Sequence, residues 1–162
     1  MILGLSTNAF TLLHVVVSLV GIGSGIVVLG GLLGGRVISS WTGLFLVTTI
    51  LTSVSGFAFP NAHVTPGIIL GILSLVVLAI AVASLYVFHL AGGWRRTYAI
   101  SACIALYFNV FVLVAQLFKH VPFLTALDPT QSGPPFGIAQ LLVMAIFIWL
   151  TVRAAKRFKL SA

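Results

Sequence analysis

Residues 66–89 read PGIILGILSLVVLAIAVASLYVFH, without a single Lys, Arg, Asp or Glu. A helix needs about 20 predominantly apolar residues to cross the hydrocarbon core of a bilayer. This run meets that length. Pro66 suits a first helical turn, and Gly92-Gly93 supplies a stop. Working outward, four more stretches have the same character, at about 10–33, 41–59, 97–118 and 135–152. Ser6, Thr7 and Asn8 are candidate caps before the first, and Gly34-Gly35-Arg36 breaks it. Pro60 ends the second, Lys119-His120 and Pro122 follow the fourth, and Pro134-Pro135 opens the fifth. The sequence predicts an all-α fold: one integral membrane bundle of five transmembrane helices, forming one domain over residues 1–162.

Composition agrees. The chain is 60% hydrophobic and 6% charged, with a mean hydropathy of +1.26, whereas soluble domains carry roughly 25% charged residues. So few charges leave too little to solvate a surface, and lipid becomes the solvent for most of the chain. The net charge of +7 does not indicate nucleic acid, because the basic residues sit at the ends of apolar runs. There they orient the protein. With the N-terminus outside, Arg36, Arg95, Arg96, Arg153, Lys156, Arg157 and Lys159 face the cytoplasm and only Lys119 faces out, as the positive-inside rule requires of short loops. Trp41, Trp94, Trp149 and Tyr98 fall at the same predicted cytoplasmic interface. Met1–Asn8 lacks the basic residues of a secretory signal. Cys103 is the one cysteine and lies within an apolar run, so no intramolecular disulfide or thiolate metal cage is expected.

Several helices carry stripes of small and polar residues at helical spacing. On the fourth these are Tyr98, Ser101, Ala102, Ala105, Asn109, Gln116 and His120, with Leu106, Phe108, Phe111 and Leu117 placed elsewhere. The first carries His14, Ser18, Gly21 and Gly25, the second Thr49, Thr52, Ser53 and Gly56, and the third Gly67, Gly71, Ser74 and Ala81. Such seams permit close backbone approach. Asn109 lies near mid-membrane and needs a partner, either across a helix contact or on a ligand.

Three histidines, His14, His63 and His120, converge on the predicted outer face together with Gln116, Gln140 and Asp128. Imidazole is a common metal ligand and a proton carrier. His14, Asn109, Gln116, His120 and Gln140 are therefore the candidate ligand-binding residues, with His14, His63 and His120 as candidate metal ligands. Haem, copper or zinc, or a quinone head group would suit them. A bis-His haem between His14 and His89 is excluded, since helical rise puts them some 20 Å or more apart. The linker KHVPFLTALDPTQSGPP, 119–135, predicts a short amphipathic turn through Phe123, Leu124 and Leu127, then a turn in which Asp128 caps the backbone two residues on.

Catalytic templates fail. There is no second carboxylate for paired acid and base, no phosphate loop and no nucleophile elbow. The absence of internal repeats argues against an inverted-repeat carrier. The stretches LYFNVFVLVAQLFKHVPFLTALDPTQSGPPFGIAQ (106–140) and WTGLFLVTTILTSVSGFAFP (41–60) resemble a family of small, functionally unassigned polytopic bacterial inner-membrane proteins. That resemblance implies a PTQSEPPF-like loop before the last helix, with Gly133 standing where Glu is expected. It implies location in a bacterial inner membrane and carries no activity. The expectation is a non-enzymatic accessory or assembly subunit in the lipid bilayer, associating with other membrane subunits or with itself. The alternatives are a redox-linked haem, metal or quinone protein and a small oligomeric transporter or channel.

Overall fold

The structure, a computed structural model, describes residues 2, 4–60 and 63–160. It contains α1 (Thr7–Leu33), α2 (Ser39–Gly56), α3 (Pro66–Val82), a single π-helical turn (Ala83–Val87) continuing α3, α4 (Trp94–His120), the short α5 (Pro122–Leu127) and α6 (Pro134–Leu160). Four of these are long and apolar enough to cross a membrane: α1, α3 with its π turn, α4 and α6. This marks the chain as a membrane protein. The fifth long helix, α2, is 18 residues and rich in Ser and Thr.

Local chemistry sets the ends. Ser6 Oγ caps α1 by accepting from Ala9 N, and Thr65 Oγ1 caps α3 by accepting from Ile68 N, with Pro66 in the first turn. α2 stops at Gly56, before the expected 59, and the chain tightens through Phe57 towards Pro60. α6 instead runs well past 152, because Arg, Lys and Ala in the basic tail are good helix formers. Hydropathy marks where lipid ends, and the helix ignores that boundary.

The long helices alternate in direction. Gly31 lies against Ile38, Gly25 against Phe45, Gly21 against Thr48 and Thr49, and His14 against Ser55. Positions fall along α1 as they rise along α2, so the pair is an antiparallel hairpin in contact along nearly its whole length. α2 and α3 run antiparallel by the same criterion, through Ser53 with Ser74 and Phe57 with Gly71. So do α4 and α6, through Phe111 with Gln140, Tyr107 with Phe147 and Tyr98 with Phe158. One end of the bundle consequently gathers Arg36, Arg95, Arg96, Arg153, Lys156 and Arg157. The other end carries Lys119, His120 and Asp128.

The core sits towards the basic end, where Leu32, Phe45, Leu78, Ala81, Tyr98, Ala102, Leu106, Ala154 and Phe158 are buried together. α4 is the central helix and packs on α1, α3, α5 and α6. That centrality buries Leu106, a residue placed off the polar stripe by periodicity, along with Tyr98 on the stripe itself. The polar stripe is correct as far as it goes, but neighbours press on α4 from several sides.

Gly25 is the tightest point: a Cβ there would stand 2.6 Å from Leu106 Cδ1 and 2.9 Å from the Phe45 ring, while Gly23 has nothing within 4 Å. Gly25→Leu should lower stability by about 1–3 kcal/mol through overpacking, and Gly23→Leu should be neutral. Thermal unfolding of both variants in one detergent checks the contrast. Equal behaviour would place Gly25 on the lipid face.

Candidate functional site

Two polar arrangements lie in the membrane-embedded half of the molecule that points away from the basic end. The first is a seam between α1, α2 and α4. Asn109 Nδ2 donates to Thr49 Oγ1 at 3.3 Å. Gly21 of α1 leaves room for both: a Cβ there would meet Thr48 Oγ1 at 3.2 Å, Thr49 Oγ1 at 3.4 Å and Asn109 Nδ2 at 3.6 Å. Asn109 thus has the cross-helix partner its depth demands. Such a bond contributes under about 1 kcal/mol in a membrane, and its main effect is to fix which faces meet.

Further along the same seam, His14 Nδ1 and Ser55 Oγ are 2.7 Å apart. Ser55 Oγ also donates to Thr52 O at 3.2 Å. With the serine proton so placed, His14 Nδ1–H is the donor. Phe59 closes edge-on against the imidazole at 5.2 Å, and Phe10 against Phe59 at the same separation. His14 is therefore held by α2 and the segment after it. Gln116 and His120 are both exposed on the outer turns of α4, and His63 is exposed in the connection before α3. Among the described residues no group of three His, Cys, Asp or Glu side chains is arranged to hold a metal.

The second arrangement clamps the start of α6 onto α4. Gln140 Nε2 donates to Phe111 O at 3.0 Å, Gln131 Nε2 to Ala115 O at 2.6 Å, and Thr125 Oγ1 to Phe118 O at 2.8 Å. Phe111, Ala115 and Phe118 follow the i, i+4, i+7 spacing of a single helix face, so one stripe of α4 carbonyls receives three side-chain donors. Phe118 and Phe136 pack edge-to-face at 5.4 Å across the same contact. Gln140 lies beside α4, as shared depth suggested, but its partner is a carbonyl rather than Gln116. Its Oε1 is buried without a hydrogen-bond partner.

Asp128 completes the clamp. It is buried, and Oδ2 accepts from Gly133 N at 2.8 Å and Phe136 N at 3.3 Å. A helix start normally leaves four N–H groups unpaired. Pro134 and Pro135 have none to offer, so one carboxylate takes the two that remain, and its charge suits the helix N-terminus. A backbone turn is present, with Gln131 N donating to Asp128 O at 3.3 Å, but the Asp128 side chain meets the Thr130 hydroxyl at 3.5 Å rather than the backbone two residues on. Gly133 fits closely here: a Cβ would stand 3.0 Å from Oδ2, so Asp128 would have to give by a few tenths of an ångström to admit a larger residue.

Ser55, Gln131 and Thr125 carry no local signal in the sequence. Each acts on a residue far along the chain or on a backbone carbonyl, and neither kind of partner leaves a periodic trace. At the basic end, Thr42 and Tyr98 face each other across the α2–α4 contact, but no hydrogen bond of good geometry joins the two hydroxyls. Compared with protein-family models, curated proteins and solved structures, the chain matches none.

Asp128→Ala should cost roughly 1–2 kcal/mol, the upper range for losing a helix cap, and Asp128→Asn less, because an acceptor oxygen remains. Hydrogen exchange at Gly133 and Phe136 is the direct readout. Unchanged protection in Asp128→Ala would mean that the carboxylate does not hold the helix start.

Proposed function

We propose that this protein is a five-span accessory or assembly subunit of a bacterial inner-membrane complex, without catalysis of its own. One observation carries the association half of this reading. Only 6% of the most apolar window of α6 is buried within the chain. α6 is held by α4 and by part of α1, so Ile138, Leu141, Leu142 and Ile148 remain exposed. A helix so free on its outer side is suited to lateral contact with another membrane subunit or a second copy. Inside the bundle, by contrast, most polar side chains are bonded to helix backbones or to each other, which serves packing and offers a substrate little.

Five crossings are supported by the hairpin geometry. α2 keeps contact with α1 from Ile38 to Ser55, and its 18 residues extend about 27 Å, close to the hydrocarbon thickness of about 30 Å. If α1 crosses, α2 crosses beside it. The basic residues collected at one end favour that end in the cytoplasm, which puts the N-terminus outside and the C-terminus inside. The resemblance of 41–60 and 106–140 to small inner-membrane proteins supports the bacterial inner membrane as the location. The metal-binding alternative would need His14, His63 and His120 gathered, and His14 is engaged by Ser55 instead.

Reporter fusions at Arg36, Gly93 and the C-terminus should read cytoplasmic, and fusions near His63 and Thr130 external. A cytoplasmic signal from Thr130 would remove the five-span arrangement. For the association, a photo-crosslinking residue at Leu141 or Ile148 should yield a discrete protein adduct in intact membranes. Adducts with lipid alone at both positions would remove the accessory role.

A further inference from the structure

At the basic end, a cavity of about 290 Å³ opens between the last turn of α1 and the C-terminal part of α6, lined by Leu33, Trp149, Arg153 and Arg157. Arg153 and Arg157 are four residues apart and so share a helix face. Both are exposed. Arg153 Cζ lies 4.9 Å over the Trp149 ring, which fixes that guanidinium at the cavity wall by a cation–π contact.

Two like charges at this spacing repel, and the chain has little to neutralise them. Its one acidic side chain, Asp128, caps α6 at the opposite end. The nearest helix end offers little either. The carbonyls of Gly30, Gly31 and Leu32 already accept from Gly34, Arg36 and Gly35 N–H groups. Among the described residues no acidic side chain lies at this end, which leaves the pair open to an external anion. The cavity has an apolar wall at Leu33 and an aromatic wall at Trp149, a residue type that settles at the headgroup level of bilayers. Two forked guanidiniums match the oxygens of a phosphate.

We propose that this cavity binds the phosphate of an anionic phospholipid, held between Arg153 and Arg157 with Trp149 and Leu33 against the glycerol and first acyl carbons. The shared chemistry with inorganic phosphate is the oxyanion. The apolar wall favours the lipid. The site rests on the membrane-embedded arrangement and does not depend on the accessory role or on which face is cytoplasmic.

The test uses the full chain, carrying Trp41→Phe and Trp94→Phe so that Trp149 alone emits, in phosphatidylcholine nanodiscs. Dibrominated phosphatidylglycerol or dibrominated phosphatidylcholine is titrated in as a short-range quencher. Phosphatidylglycerol should be enriched beside Trp149 on the order of tenfold over phosphatidylcholine, given two basic contacts. Arg153→Gln and Arg157→Gln should each cut the enrichment several-fold, and Arg96→Gln, at the same end but outside the cavity, should leave it unchanged. Equal quenching by the two lipids in the parent protein would overturn the site without touching the topology, which the fusions read separately. Retained enrichment in both Arg variants would overturn it as well. Millimolar inorganic phosphate should leave the preference intact. If it abolishes the preference and shifts Trp149 emission in pure phosphatidylcholine discs, the site takes free phosphate and the lipid assignment fails.

Discussion

Most hydroxyls and amides buried in this bundle find their partner inside the protein, with Thr42, Thr52, Tyr98 and Gln140 Oε1 as exceptions, and that constraint shapes the rest. Lipid offers no hydrogen bonds. The commonest solution is local: Ser18, Ser24, Thr48, Ser84 and Ser101 each donate to the carbonyl four residues back on their own helix. A side chain satisfied this way becomes a small, smooth surface, and a neighbouring helix can come close without leaving a donor stranded. Only a few groups reach across, chiefly Asn109 to Thr49, His14 to Ser55 and Ser53 to Ser74. These few bonds supply register, while close packing at Gly21, Gly25 and Gly31 supplies the adhesion that water would otherwise drive.

The two ends of the molecule solve different problems. At the basic end, large side chains interlock: Phe45, Tyr98 and Phe158 are wholly buried, and Arg95 stacks over Phe158 at 4.8 Å. At the other end there is less core, and polar clamps stand in for it. Gln131, Gln140, Thr125 and Asp128 bind backbone groups directly, tying the α4–α6 connection down where apolar contact is thin. α5 contributes no buried residue, and Phe123, at 71% exposure, faces outward. That suits a short amphipathic turn resting on the membrane surface.

The apolar runs, the cap at Ser6, the first-turn Pro66, and the seam residues Gly21, Gly25, Thr49, Ser53 and Asn109 are legible in the sequence, because each is written in spacing along one helix. The histidines were not. Depth in the membrane is a single coordinate, and residues at equal depth can lie on opposite sides of a bundle; His14 turns to α2 while His120 stays exposed. Asp128 was read as closing a turn two residues on, yet it reaches forward to positions 133 and 136. That longer reach follows from Pro134-Pro135 removing the nearer amides, a consequence visible only when donors are counted along the helix start. Leu106 escapes the spacing for a related reason: periodicity assigns one buried face, and a central helix has several.

The most extensive helix contacts in this protein are between sequence neighbours, α1 with α2, α3 with α4 and α4 with α6, with α1 also meeting α4 and α6. A chain wired this way can assemble in the order in which it is synthesised. The α1–α2 hairpin can form first, through Gly31 with Ile38 and Gly21 with Thr48, and the tightest approach, Gly25 to Leu106, is completed when α4 docks. Asn109 then docks onto a surface already formed, and α6 arrives last, against α4. The loop-closure entropy is small at each step, and contacts of this short range favour fast folding. No early helix has to wait, unpartnered in the bilayer, for a distant one.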